Sequence, residues 1–151
     1  MNILYVMCGI PGSGKSTLSK KIASENDAVR FSLDEMGYVR QHKLIPHIVE
    51  ALKNGESVVA DSLYIKAQWR AELLEAVKDM DIKRVLLYMD VPLDVCIQRN
   101  RGREYPLHDF VVEHQFERFE PPALEEGWDE IIYVKEDGSY EKHLESHTQH
   151  D

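Results

Sequence analysis

A chain of 151 residues, 43% hydrophobic and 30% charged, is long enough for one packed core and too short for two. Its two cysteines, Cys8 and Cys96, sit in a strand-like and a helix-like stretch, which excludes a disulfide framework and fits a reducing cytoplasm. No apolar run reaches the length of a membrane span, and a strand that begins at residue 3 leaves no room for a secretory leader, so a cytoplasmic domain with no membrane partner is expected.

The net charge of −9 is unevenly spread. Residues 1–103 carry 15 Lys/Arg and 13 Asp/Glu, whereas residues 104–151 carry 3 and 14. The acidic excess is therefore confined to the last third, where it reads as a solvated face and argues against wrapping a long nucleic acid there. The front of the chain is nearly balanced and free to handle anions.

Ile3–Cys8 reads as a first strand. Gly9-Ile10-Pro11-Gly12-Ser13-Gly14-Lys15-Ser16-Thr17 follows it and fits G-x-x-x-x-G-K-[ST] at every fixed position. Leu18 and Ile22 then share one face of a helix. A triphosphate needs many donors close together, and backbone N–H groups supply them only where the chain wraps tightly. Gly12 and Gly14 permit that wrap, and the N-terminus of the following helix adds unpaired N–H groups and a positive dipole end. Lys15 can reach the β and γ phosphates, and the Ser16 hydroxyl can ligate Mg²⁺. Gly12, Ser13, Gly14, Lys15, Ser16 and Thr17 are therefore the candidate nucleotide-binding residues, with Ser16 the candidate metal ligand. Cys8 reads as a small buried residue rather than a reactive thiol.

Ala28–Ser32 forms a shorter second strand. Leu44, Ile48 and Leu52 repeat at helical spacing, with Pro46 marking a start or a kink and Asn54-Gly55 an end. Ser57–Asp61 reads as a buried third strand; Trp69, Leu73 and Val77 as the next helix face; Val85–Asp90 as the fourth strand. Pro92 opens a helix whose apolar side begins with Val95 and Cys96. Val112, Phe116 and Phe119 mark a fifth helix, and Ile131–Val134 a last strand. Trp128 and Tyr133 read as core. Residues 1–137 form the expected domain, and residues 138–151 a polar tail. This alternation predicts an α/β fold with a mainly parallel five-stranded sheet and helices on both faces.

In such sheets ligands bind beyond the carboxyl ends of the strands, where Asp34, Asp61 and Asp90 lie. Phosphoryl transfer needs a group to take the proton of an attacking hydroxyl. Asp34, two residues past the second strand, is placed to do so, or to cap a helix at Glu35-Met36. Asp61 could hold Mg²⁺ through water, bind an acceptor hydroxyl, or cap a turn; Asp90 reads as a turn residue. Arg99, Arg101 and Arg103 surround Gly102 and suit an arm closing over transferring phosphates, the alternative being a solvated basic helix end. His143, His147 and His150 lack any flanking pattern that would fix a metal geometry.

The order of these motifs resembles the small P-loop kinases related to the 5′-hydroxyl kinase domain of bacteriophage polynucleotide kinase, over residues 1 to about 135. Gly9–Thr17 is similar to that family's loop, Asp34 falls at its catalytic aspartate, and Asp61 with Ser62 at its second acidic position. Asp90-Val91-Pro92 is similar to its strand-four exit, Arg99 to Arg103 to its lid arginines, and Pro121-Pro122 with Glu126-Gly127-Trp128-Asp129 to its closing segment. The phage member carries an arginine three residues after its aspartate; that position is Gly37 here, and the nearest arginine is Arg40. The resemblance implies a P-loop kinase fold with an arginine-bearing lid and an ATP-dependent, Mg²⁺-requiring kinase. Lys15, Asp34, Arg101 and Arg103 would be catalytic, Arg99 would support the nucleotide, and Asp34, Arg40 and Asp61 would meet the acceptor, a nucleic acid 5′ end or a nucleoside. Three other readings stay open: a small-metabolite alcohol as acceptor, a nucleotide-dependent switch with slow hydrolysis, and a nucleotide binder that has lost catalysis.

Overall fold

β1 (Ile3–Cys8) sits inside a sheet and obeys its two-residue period. Leu4, Val6 and Cys8 enter a core on one face, together with Ile48 and Leu52 of α2 (Ile45–Lys53) and Leu73 of α3 (Ala67–Ala76). Met7, with half-buried Ile3 and Tyr5, packs on the other face against Leu18 and Ile22 of α1 (Lys15–Glu25). Fully burying side chains of this size stabilises by roughly 1.5–3 kcal/mol each, so the central strands are fixed by both helical layers. The structure, a computed structural model, describes residues 1–144.

The remaining strands are β2 (Val29–Ser32), β3 (Val58–Asp61), β4 (Lys83–Met89), β5 (Glu130–Val134) and β6 (Tyr140–Leu144). Their order is β2-β3-β1-β4-β5-β6, parallel except for the β5–β6 pair. The chain leaves β1 toward β2 and β3 on one side and then crosses to β4 on the other. The carboxyl ends of β1, β2 and β3 therefore open side by side, as doubly wound sheets require of a ligand site.

The α/β architecture with helices on both faces is the expected one, with one strand more. Tyr140–Leu144 pairs antiparallel with β5 inside the stretch read as a polar tail. The hairpin turns at Gly138, whose φ of 86° favours glycine. Sequence periodicity missed β6 because it is an edge strand with Tyr140, Glu141, Lys142 and His143 all exposed. His147 and His150 lie outside the described residues.

Pro46 occupies the first turn of α2, after a 3₁₀ turn at Gln41–Leu44, so it starts the helix rather than kinking it. α4 (Leu93–Arg101) begins after Pro92, and α5 (Asp109–Glu117) packs on α4 as an arm. The expected apolar face of α5 is only partly real. Val112 is buried, but Phe116 is 45% exposed, and Phe119 lies past the helix end, stacked on Tyr88 at 5.2 Å. Trp128 is core as expected, its indole N–H donating to Glu126 Oε1 at 2.9 Å.

One charged group is wholly buried. Arg70 donates to Glu126 Oε1 and Oε2 at 2.9 Å each, to the Tyr64 carbonyl at 2.8 Å and to the Glu120 carbonyl at 2.9 Å. This cluster ties α3 to the segment before β5 and supports Tyr64, a non-glycine residue at φ 46°. Among the described residues no helix is long and apolar enough to cross a membrane.

Candidate active site

Residues 9–14 turn from β1 into α1 with Gly12 at φ 83° and Gly14 at φ 95°. A Cβ on Gly12 would lie 2.2 Å from the Cys96 carbonyl oxygen on α4, and one on Gly9 2.7 Å from Ser13 Oγ and 2.8 Å from Met89 Cβ. Gly9 is thus required by contact, Gly14 by backbone angle and Gly12 by both. The first-turn N–H groups of α1 have no intrahelical acceptor and face the same loop. The cradle is braced by Arg99, which donates to the Ser13 carbonyl at 3.3 Å and to the Glu136 carbonyl at 2.8 Å.

The loop forms one wall of an open cavity of about 1270 Å³ that also takes in Asp34, Arg40, Asp61 and Arg103. Lys15 is half-buried at this wall and enters no ion pair among the described residues. Desolvation pushes its ammonium pKa down, opposed by the Asp61 and Asp34 carboxylates; Arg103 pushes it further down. An unpaired ammonium at the base of a glycine cradle is the arrangement that gains most from an incoming phosphate. Ser16 and Thr17 are exposed at the cavity mouth.

Asp34 lies in a single helical turn after β2, held by Met36 N–H donating to the Ser32 carbonyl at 3.0 Å and Leu33 N–H to the Asp61 carbonyl at 3.1 Å. The capping role open to Asp34 falls instead to Ser32, whose Oγ accepts from Glu35 N–H at 3.4 Å. The Asp34 carboxylate is exposed toward the cavity with no hydrogen-bond partner among the described residues.

Asp61 differs. It is buried at the end of β3, and its Oδ2 accepts from Ser19 Oγ at 2.6 Å and from Arg30 Nη2 at 2.8 Å. Arg30 also donates through Nε to Ser19 Oγ at 2.8 Å, reaches Ser16 Oγ at 3.5 Å, and pairs with Glu35. Asp61 is therefore a fixed carboxylate beside Ser16 rather than a mobile one. Neither Arg30 nor Ser19 was read from the sequence as a site residue. The available signal was an arginine on a short strand, between Val29 and Phe31, with an acid on the neighbouring strand two residues beyond its register partner Val59.

The three lid arginines separate. Arg99 and Arg103 both line the cavity, Arg99 also holding the glycine loop through the Ser13 carbonyl, and Arg101 is outside the cavity, 63% exposed and paired with Asp109. The wall away from the loop comes from residues no motif marked: Trp69, Glu72, Leu107, Val111 and Gln115, opposite Tyr38 and Val39. The cysteines take no part; burial pushes the Cys8 thiol up to about 12 and the Cys96 thiol up to about 11.

The donor set suits Mg²⁺–nucleotide. The metal takes hard oxygen ligands, prefers few of them from protein, and keeps waters and phosphates. Ser16 Oγ and the Asp61 carboxylate supply that chemistry beside a cradle that a Cβ would fill.

Known proteins share part of this sequence and this fold. The L-seryl-tRNA(Sec) kinase of Methanococcus maripaludis is 28% identical, matching 84% of this chain and 56% of that protein. The chain spans about half the length of the curated relatives it matches. A sugar kinase of Janibacter sp. HTCC2649 superposes with a TM-score of 0.72 at 19% identity, over 92% of this chain and 87% of that one. A fungal RNA kinase does so with a TM-score of 0.72 at 16% identity, over 89% and 74%. These structural likenesses establish the fold alone. A family model described as an AAA domain matches residues 4–122, from β1 through the glycine loop to past the end of α5, and the chain, which has the P-loop kinase fold, belongs to that family.

Proposed function

We propose that this domain is an ATP-dependent kinase that moves the γ-phosphoryl group to a hydroxyl. The observation that carries the reading is the unpartnered Asp34 carboxylate sharing one cavity with the unpaired Lys15 ammonium and Arg103. ATP supplies the phosphoryl group, and Mg²⁺ bound with it neutralises phosphate charge. The loop N–H groups and Lys15 hold the phosphate tail, with Ser16 and Asp61 on the metal side. Asp34 accepts the proton of the acceptor hydroxyl as its oxygen bonds to the γ-phosphorus and the bond to the ADP oxygen breaks. Arg103 faces the negative charge on the transferring group, while Arg99, also on the cavity wall, keeps the loop in shape through the Ser13 carbonyl and supports the nucleotide.

For the acceptor we infer a nucleic acid 5′-hydroxyl or a nucleoside, in keeping with the resemblance to phage polynucleotide kinase. Supporting this are the cavity's open mouth, the aromatic residues Tyr38 and Trp69 on its walls, and the exposed Arg40 placed to meet a further phosphate. A small-metabolite alcohol is the second reading, since the open cavity admits small polyols equally well.

The test is ADP release measured with a panel of 5′-hydroxyl oligonucleotides, nucleosides and sugars, in wild type and Asp34→Asn. One acceptor class should raise turnover well above the water background. Asp34→Asn should lower that rate by about 10²–10⁴-fold with ADP affinity changed less than about threefold. Turnover no faster with any acceptor than with water would favour a slow nucleotide switch; a pure affinity loss would move Asp34 to binding.

A further inference from the structure

The contacts of Arg30 meet a geometric conflict with the metal. Mg²⁺ demands near-octahedral ligands at about 2.0–2.1 Å, so a water beside a metal-bound Ser16 Oγ lies about 3 Å from that oxygen. Such a water would hydrogen-bond a neighbouring carboxylate at about 2.8 Å. Arg30 Nη2 already satisfies both relations nearly, 3.5 Å from Ser16 Oγ and 2.8 Å from Asp61 Oδ2. A guanidinium nitrogen thus stands between the two oxygens at distances close to those a metal-bound water would take.

We propose that Arg30 is a built-in cation that holds Asp61 until Mg²⁺–nucleotide arrives, and that metal binding displaces its Nη2 from Asp61 toward Glu35. The inference rests on the nucleotide-binding reading of the loop. Three features make the exchange feasible. Arg30 already pairs with Glu35 through Nη1, so its charge keeps a partner after Asp61 is given up. Its Nε stays anchored on Ser19 Oγ at 2.8 Å, so the fork can pivot without the side chain leaving. Ser19 also donates to Asp61 Oδ2, so the carboxylate keeps its orientation while the guanidinium moves. Without the metal, the same guanidinium keeps a buried Asp61 from standing as an uncompensated anion. Because Glu35 adjoins Asp34 in one tight turn, the exchange also carries the arrival of the metal to the acceptor side.

Arg30 thus competes with Mg²⁺ for Asp61 and sets the metal affinity of the nucleotide complex. The experiment is a titration of Mn²⁺, read by the free-ion electron paramagnetic resonance signal, into ADP-saturated wild type, Arg30→Gln and Arg30→Lys. Removing a competing cation a few ångströms from a divalent ion should tighten Mn²⁺ binding by about tenfold or more in Arg30→Gln, with Arg30→Lys close to wild type. Unchanged or weakened Mn²⁺ binding in a folded Arg30→Gln protein overturns the proposal. A second readout needs no variant that could fail to fold: the Arg30 Nη2–Hη resonance of the wild-type ADP complex, read at low temperature, should shift when Mg²⁺ is added. A resonance that does not move shows that the guanidinium stays in place and overturns the proposal equally. If ADP itself fails to bind with or without metal, the nucleotide reading falls and this inference with it; binding of ADP with no Arg30 effect removes the inference alone.

Discussion

Adding one methyl group at Gly12 tests whether the loop is shaped by contact with the lid helix. The residue sits at φ 83°, where an L-side chain costs about 1–2 kcal/mol. Its new Cβ would also lie 2.2 Å from the Cys96 carbonyl oxygen and 2.9 Å from the carbonyl carbon. Both are backbone atoms of α4, so no rotamer change relieves them, and overpacking of this kind adds about 1–3 kcal/mol. Gly12→Ala should therefore lose about 2–5 kcal/mol. Gly37 is the matched control, at φ 75° with nothing within 4 Å of an added methyl, so Gly37→Ala should lose only the backbone part, about 1–2 kcal/mol. Urea unfolding of both variants measures the difference, and calorimetric titration with ADP measures the consequence. Gly12→Ala should weaken ADP binding by an order of magnitude or more, because relief requires the loop and α4 to part; Gly37→Ala should leave it intact. Equal stability loss in the two variants would refute the close packing of the loop on α4.

Lys15→Met should abolish ADP binding, read by calorimetry, yet raise the stability of the ligand-free protein in urea at neutral pH. The folded pKa of Lys15 lies below its unfolded value, so the folded state binds its proton less tightly. Its destabilising contribution is present in full below the folded pKa and fades as pH rises through the folded pKa toward the unfolded value. The stability gap between Lys15→Met and wild type should accordingly narrow in alkaline urea titrations; a gap that widens reverses the sign. Arg103→Gln should cut turnover by about 10³-fold or more at saturating ATP, whereas Arg101→Gln, which removes only the exposed Asp109 pair, should cost far less. The opposite ranking would place Arg101 on the transferring phosphate after a lid movement.

What the sequence made visible tracks how local each constraint is. The glycine loop was legible because its chemistry is written in consecutive residues, each with its own steric or electrostatic reason. The parallel sheet was legible because apolar strands buried on both faces read as unbroken runs, as in Val58–Ala60 and Val85–Leu87. β6 was not, because an exposed edge strand needs no apolar pattern, only a partner. The lid was half legible: three arginines in five residues announced a cationic arm, but a helix turns about 100° per residue and the chain turns again at Gly102. Those rotations send Arg101 outward while Arg99 and Arg103 line the cavity, a sorting that spacing alone does not give. The Arg30–Ser19–Asp61 cluster was the least legible, since its members lie 11 and 42 residues apart along the chain and meet only through β-strand register and helix packing. That cluster links the glycine loop, the end of β3 and the Asp34 turn through side chains of three different elements. The carboxylate beside Ser16 is therefore held by tertiary contacts, and what sets its chemistry is to be sought in residues such as Arg30 and Ser19 rather than in the motif that announces the nucleotide.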